Sequence, residues 1–142
     1  MGSKKNEIVH YAALPFRMED GHPMVLLVTS RETKRWIIPK GKPEKKLLPH
    51  EVAAREAFEE AGVHGKITDE AFATFDSTKR LDNGREVPIK VRVYLLEITE
   101  ILAEWPEKHE RERRWVSPGE AALLASEPGL VGTMLDFSAL WS

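Results

Sequence analysis

Short apolar runs near the start of the chain predict β-strands. Residues 7–16 alternate so that every second side chain lies on one face, residues 24–29 are almost entirely apolar, and residues 36–38 form a third run. The dipeptide Asp20-Gly21 predicts a turn between the first two strands. The chain therefore begins with short strands rather than with a helix.

The pattern changes to a helical one over residues 49–61. Pro49 suits the first turn of a helix, and Gly62 suits the position just past its end. Ala53, Ala57 and Ala61 form a row of small residues at four-residue spacing, which would allow this helix to lie close to a sheet.

Strand signals return in the second half of the chain. Strands are predicted at 72–78, 87–98 and 114–116, with a hairpin-like turn at 82–84. In the longest strand, Val91 and its alternate neighbours share one face.

Two helices are predicted near the C-terminus. Ser117 begins a capping box that predicts a helix over 120–126, and an amphipathic helix follows at about 130–140. No repeat or interdomain linker separates these elements. We therefore expect residues 1–142 to form a single mixed α/β domain.

Composition narrows the class of protein. The 142 residues are 42% hydrophobic and 31% charged, and the longest apolar run is residues 24–28, which is too short to span a bilayer. The chain has no cysteine, which excludes disulfides, thiolate metal sites and a cysteine nucleophile. Residues 1–6 show no secretory signal, so a cytoplasmic location with no membrane partner is expected.

Charge is distributed unevenly along the chain. The net charge of −2 argues against a stable nucleic-acid partner. Residues 31–46, however, hold seven Lys or Arg and only two Glu, whereas residues 51–60 hold four Glu and one Arg. A basic loop running into an acidic helix suits a metal-bound polyphosphate, although charge runs are also common on solvated surfaces.

Three carboxylates lie close together on the predicted helix. At about 100° per residue, Glu56, Glu59 and Glu60 fall within an arc of roughly 100°. Like charges at this spacing repel one another, and a hard divalent cation with oxygen ligands would neutralise them. The alternative is a solvated acidic face balanced by Arg55.

These residues resemble the box that characterises the Nudix hydrolase family. The family pattern is Gly, five residues, Glu, seven residues, Arg-Glu, an apolar residue, any residue, Glu-Glu, any residue, Gly and an apolar residue. Eight of its nine defined positions match at the right spacing: Gly41, Arg55, Glu56, Ala57, Glu59, Glu60, Gly62 and Val63. Segments 36–41 and 114–117 also resemble flanking features of the family, so the likeness covers most of the chain.

The resemblance implies a mixed sheet between helices and a small polyphosphate or nucleotide substrate. It implies Mg²⁺- or Mn²⁺-dependent hydrolysis of a diphosphate bond in a nucleoside diphosphate linked to another moiety, or in a related polyphosphate. The catalytic residues would be Arg55, Glu56, Glu59 and Glu60. The metal would be bound by the three glutamates together with the carbonyl of Lys40.

One position departs from the family pattern, because Leu47 stands where the family has its first glutamate. Arg55 would then lack a partner, and Glu51 or Glu44 could replace it. We expect activity to survive. The alternative is a degenerate, non-catalytic Nudix domain that binds a polyphosphate or RNA.

The base and the substrate stay open at this point. The base for the attacking water could be Glu59 or one glutamate of the polar connection 103–114, namely Glu104, Glu107, Glu110 or Glu112. The basic residues resemble those of the subgroup that acts on diphosphoinositol and diadenosine polyphosphates. The expected substrate-binding residues are Arg35, Lys40, Lys42, Lys90 and Arg92.

Overall fold

The computed structural model describes residues 7–141 as one mixed sheet packed between helices. The prediction about a signal in residues 1–6 lies outside the described residues. The sheet contains β1 (Val9–Glu19), β2 (His22–Thr29), β3 (Trp36–Ile37), β4 (Lys40–Gly41), β5 (Val63–Ile67), β6 (Ala73–Arg80), β7 (Glu86–Ile101) and β8 (Arg113–Val116). The helices are α1 (Pro49–Glu56), which continues as a π-helical turn over Ala57–Ala61, α2 (Pro118–Leu124) and α3 (Pro128–Ala139).

Strand β1 lies at the centre of the sheet. It runs parallel to β7 on one side, and on the other side it pairs antiparallel with β4 near its start and with β2 near its end. Strand β7 pairs with β6 over its first half and with β5 over its second half. Strands β3 and β8 both pair with β2. Strands β2 and β4 thus pair with different parts of the same edge of β1. After β4 the chain leaves the sheet and leads into α1.

Each face of the sheet is covered by a different set of helices. Helices α2 and α3 cover the face that carries Leu14, Val91 and Val93. Helix α1 covers the opposite face, where its alanine row packs near Tyr94 and Leu96. The predicted mixed α/β architecture is confirmed, and so is the burial of Ala53, Ala57 and Ala61, each with no exposed surface.

Both ends of the α1 segment follow from its sequence. At the start, the Glu51 carboxylate accepts a hydrogen bond from the Leu48 backbone N–H at 2.8 Å, and Pro49 occupies the first helical position. At the end, Gly62 adopts a left-handed φ of 70°, a conformation that glycine tolerates without strain. The segment 49–61 is thereby held beside the β4 end of β1.

The predicted C-terminal helices are confirmed, but each begins two residues earlier than expected. Pro118 occupies the first turn of α2, as the capping box predicts, whereas Pro128 starts α3 rather than separating it from α2. Ser117 caps α2 by accepting the backbone N–H of Glu120 at 3.1 Å. None of the helices within residues 7–141 is long and apolar enough to cross a membrane.

Candidate active site

A cleft with two lobes opens beside the last turns of the α1 segment. The two lobes have volumes of about 420 and 470 Å³. Four residues line both of them, which makes the cleft continuous: Arg31, Lys40, Glu60 and Arg111. We call the lobe that also contains Glu56 the carboxylate lobe, and the lobe that also contains Arg35 and Arg80 the arginine lobe.

Two of the three predicted carboxylates meet in the carboxylate lobe. Glu56 and Glu60 share a side-chain hydrogen bond, and Glu60 is buried. Burial raises the pKa of Glu60 to about 8, opposed by the nearby Arg111 guanidinium and reinforced by Glu56. Burial also raises the pKa of Glu56. The pair therefore holds a proton that a bound cation would displace.

The third carboxylate, Glu59, turns toward Arg55. The Arg55 guanidinium lies 3.4 Å from Glu59 and 3.2 Å from Glu44. Of the two partners proposed for Arg55, Glu44 is thus the one in contact, since the Glu51 carboxylate caps the helix instead. Neither Arg55 nor Glu59 lines either lobe.

The donor set of the carboxylate lobe fits a hard cation. Paired carboxylates and a backbone carbonyl are the ligand types that Mg²⁺ and Mn²⁺ prefer. Gly41 lies so close to the pair that a Cβ there would be 2.5 Å from the Glu56 carboxyl group. Within residues 7–141, no three His, Asp or Glu side chains already form an arrangement that could hold a metal ion. Glu59 would join Glu56 and Glu60 only by leaving Arg55.

Arg111 and His10 line the cleft but were not among the residues expected from sequence. Arg111 is almost fully buried, 3.8 Å from Glu60 and 2.7 Å from Glu107, and it donates to the Thr29 carbonyl at 2.9 Å. The ring nitrogens of buried His10 have no hydrogen-bond partner within the described residues, and His10 lines the carboxylate lobe. The alternation of side chains along β1 predicted that His10 faces inward. The sequence did not show that His10 lies beside the cleft, next to the β4 residues Lys40 and Gly41.

Burial, together with the positive charges of Lys40, Lys79 and Lys42, lowers the pKa of His10 to about 4. The ring is therefore neutral near pH 7 and carries one N–H donor and one acceptor. Both ring nitrogens are buried, so the unpaired N–H is not exposed to a ligand in the cleft.

The predicted substrate-binding residues divide into two groups. Arg35 lines the arginine lobe, Lys42 lines the carboxylate lobe, and Lys40 lines both. Lys90 and Arg92 line neither lobe, and Lys90 is instead paired with Asp76 at 2.5 Å. Arg31 and Arg80, which were not among the predicted substrate-binding residues, also line the arginine lobe. Five Lys or Arg residues therefore surround this lobe.

Among the four glutamates proposed as bases in the polar connection, only Glu107 lines the described cleft. Glu104 is paired with Lys108, and Glu110 is paired with Arg31. The aromatic residues of the chain line neither lobe within residues 7–141. The cleft is consequently a charged one, without an aromatic surface for stacking a base.

The family model for the NUDIX domain matches residues 8–136 of this chain. The chain belongs to the Nudix domain family. The match includes the box residues and the second-half strands and helices, so it extends well beyond the motif.

Curated relatives of this Nudix domain include proteins named as diphosphoinositol polyphosphate phosphohydrolases. It is 35% identical over 112 residues to diphosphoinositol polyphosphate phosphohydrolase 2 of Rattus norvegicus, covering 78% of this chain and 58% of the relative. It is 34% identical over 119 residues to Nudix hydrolase 16, mitochondrial, of Arabidopsis thaliana, covering 82% of this chain and 66% of the relative. The chain therefore spans less than two thirds of the length of these relatives.

Solved Nudix structures share the fold at lower identity. An Ap4A hydrolase from C. elegans superposes with a TM-score of 0.69 at 18% identity, covering 96% of this chain and 99% of that one. The dihydroneopterin triphosphate pyrophosphohydrolase of E. coli superposes with a TM-score of 0.72 at 15% identity, covering 93% and 95%. These likenesses establish the Nudix fold.

Proposed function

We propose that this Nudix domain is a metal-dependent pyrophosphohydrolase acting on a small polyphosphate or nucleotide. The observation that carries the proposal is the Glu56–Glu60 pair, which lies in a cleft whose remaining walls are rich in Arg and Lys. Paired carboxylates at one end and cations along the rest match the charge pattern of a metal-bound phosphate chain.

The metal site of this proposal consists of the Glu56 and Glu60 carboxylates and the Lys40 carbonyl, with Glu59 available after release from Arg55. A bound Mg²⁺ or Mn²⁺ supplies charge neutralisation on the diphosphate and a more acidic water. Glu56 and Glu60 must give up their shared proton to bind it, so metal affinity should rise with pH.

The cationic side chains hold the substrate. Arg111 and Lys40 lie at the junction of the two lobes, where they can bind the phosphate that is attacked and the phosphate that leaves. Arg31, Arg35 and Arg80 extend the binding surface away from the metal.

We assign the role of general base to Glu107, because its side chain lines the carboxylate lobe while Glu59 lines neither lobe. Attack of water on one phosphorus breaks its bond to the bridging oxygen and releases the second phosphate. The proton of the water passes to the Glu107 carboxylate.

A diphosphoinositol polyphosphate or diadenosine polyphosphate is the substrate class we favour. The arginine lobe can bind several phosphates, and the names of the relatives describe such substrates. The cytoplasmic location stays a prediction, and one relative is named as mitochondrial.

A hydrolysis panel tests the proposal, with the phosphorylated products separated by anion-exchange chromatography. The substrates are ADP-ribose, diadenosine polyphosphates, nucleoside triphosphates and diphosphoinositol polyphosphates, each with Mg²⁺ or Mn²⁺ and with excess EDTA. We expect hydrolysis of at least one substrate, loss of hydrolysis in EDTA, and a large fall in kcat for Glu60→Gln. The exposed Glu104→Gln variant is the matched control and should retain activity. Binding of these ligands without hydrolysis of any of them would favour the non-catalytic alternative.

A further inference from the structure

The end of the α1 segment is held by an unusual set of hydrogen bonds from the connection between β7 and β8. Four successive backbone carbonyls accept donors from this connection. They are Glu59 from the Glu107 N–H at 3.0 Å, Glu60 from the Trp105 indole N–H at 3.1 Å, Ala61 from the Arg113 guanidinium at 3.0 Å, and Gly62 from the Leu102 N–H at 2.8 Å. The last carbonyls of a helix lack partners within it, and here the connection supplies them.

Trp105 is the centre of this contact. Its ring lies against Gly62, where a Cβ would be 2.6 Å from the ring, and the Arg113 guanidinium stacks 3.8 Å from the ring centroid. Arg113 also donates to the Leu102 carbonyl at 3.1 Å, which ties the connection to itself. The indole therefore cannot shift without moving the residues on both sides of it.

The carbonyl that accepts the indole N–H belongs to Glu60, the buried member of the carboxylate pair. Glu60 lies in the π-helical turn Ala57–Ala61, and Glu56 is the residue that precedes this turn. The Glu60 carboxyl group is hydrogen-bonded to that of Glu56, four residues earlier. The last carbonyls of a helical segment lack partners within it, so external donors to these carbonyls stabilise the turn.

The same connection carries the groups that face Glu60 from the other side. Glu107 and Arg111 both lie between the anchor at Trp105 and the anchor at Arg113. Both line the carboxylate lobe, and Arg111 reaches to within 3.8 Å of Glu60. The anchors thus fix the spacing between the carboxylates on one wall and Arg111 on the opposite wall.

We infer that Trp105 is a positioning residue for the metal site, which acts through its indole N–H on the Glu60 carbonyl. Trp105 lines neither lobe, and it holds the π-helical turn in the geometry that pairs Glu60 with Glu56. The inference rests on the proposed function, because it assigns Trp105 a role in a site that the proposed function uses.

Trp105→Phe tests the inference, because it removes the N–H donor and keeps an aromatic ring beneath Arg113. Replacing a residue that orients a metal ligand without binding the metal typically lowers metal affinity or activity by about 10- to 100-fold. We expect Mn²⁺ affinity and kcat to decrease by a factor in that range. KM should change far less than kcat, because the phosphate-binding side chains are unaltered. Replacement of Trp105 by 3-benzothienylalanine, in which sulfur takes the place of the N–H, should give the same result with the ring shape preserved.

Trp115→Phe is the matched control. Like Trp105, Trp115 is half-buried, lines neither lobe and carries a stacked guanidinium, that of Arg17 at 4.1 Å, but it lies within β8, where it pairs with Leu26 of β2. This variant should retain both Mn²⁺ affinity and kcat. Mn²⁺ affinity is measured by electron paramagnetic resonance without substrate, on protein whose folding has been verified by circular dichroism.

The outcomes separate this inference from the proposed function. Unaltered Mn²⁺ affinity in both Trp105 variants would overturn the inference, whatever their activity. If the unmodified protein binds Mn²⁺ but hydrolyses none of the substrates, the proposed function fails and the Mn²⁺ affinities still decide the role of Trp105. A protein that binds no Mn²⁺ would overturn both.

Discussion

Glu60 is a carboxyl group in surroundings that disfavour its charge. Burial raises its pKa from 4.5 to about 8, and the neighbouring Glu56 adds to the effect. The folded protein therefore binds this proton more tightly than the unfolded chain does. Its contribution to stability is complete below the unfolded pKa and is lost as pH rises toward the folded pKa.

We expect the melting temperature of the metal-free protein to fall between pH 5 and pH 8, and Glu60→Gln to reduce that fall. Glutamine is neutral at all pH values and can donate to Glu56 as the protonated acid does. A tenfold change in proton affinity corresponds to about 1.4 kcal/mol, which is roughly 5 °C in a domain of this size. Melting curves in EDTA at three pH values provide the measurement. Glu104→Gln is the control, and if Glu60→Gln lost stability in parallel with it, Glu60 would not be the titrating group.

Leu47 stands where the family pattern has its first glutamate, so Arg55 lacks that partner. One side chain in the loop before α1 takes the place of the missing glutamate. Glu44 supplies the carboxylate that contacts Arg55, although both side chains are about half exposed, so the pair contributes about 1 kcal/mol or less. The sequence could suggest Glu44 but could not choose it over Glu51. That choice depends on the Leu48 N–H, which needs a capping acceptor.

A double-mutant cycle tests this compensation. Leu47→Glu alone should change kcat little, since Arg55 already has a partner. Glu44→Ala should lower kcat by about two- to fivefold, in line with the loss of one exposed pair. The combination Glu44→Ala with Leu47→Glu should recover activity. Equal losses in the single and double variants would show that Leu47→Glu cannot replace Glu44.

At the scale of elements, the sequence predicted the three α-helices and the longer strands found within residues 7–141, because apolar periodicity and proline or glycine positions specify them. It did not predict the π-helical turn, since no local residue distinguishes Ala57–Ala61 from a continued α-helix. The turn depends on donors from the β7–β8 connection, about 45 residues later. The buried position of Arg111 was missed for the same reason.

The close approach of β4 to α1 gives a prediction at this scale. Gly41→Ala would place a Cβ 2.5 Å from the Glu56 carboxyl group, and the flexible end of that side chain must move away. A carboxylate displaced by about 1 Å can cost on the order of 100-fold in rate, while global stability should change little. The rate of substrate hydrolysis and the melting temperature are the measurements.

Gly119→Ala is the control for this prediction. A Cβ at Gly119 would have no atom of residues 7–141 within 4 Å beyond its own chain neighbours, so this variant should retain activity. If Gly41→Ala instead unfolded the protein with normal activity per folded molecule, Gly41 would matter to the fold rather than to the carboxylate pair.

Across the whole molecule, the basic residues are divided between the cleft and the surface. Arg31 and Arg35 line the arginine lobe, whereas Lys45 and Lys46 are exposed and line neither lobe. In the sequence these two arginines and two lysines belong to one basic stretch, residues 31–46. They are separated in space by the path that the chain takes after β2. If the arginine lobe binds phosphates distant from the metal, its residues should matter in proportion to the length of the phosphate chain.

Charge-reversal variants distinguish the arginines that line the arginine lobe from the exposed lysines outside the cleft. Arg31→Glu with Arg35→Glu should raise KM by roughly tenfold for a tetraphosphate or pentaphosphate, and less for ADP-ribose, because each exposed contact contributes about 1 kcal/mol or less. The difference should shrink as ionic strength rises, since salt screens exposed charges. Lys45→Glu with Lys46→Glu makes the same change in net charge outside the cleft and should alter KM little for either substrate. Equal effects of both double variants on every substrate would show that net charge alone attracts phosphates, and the proposed preference for long phosphate chains would then be wrong.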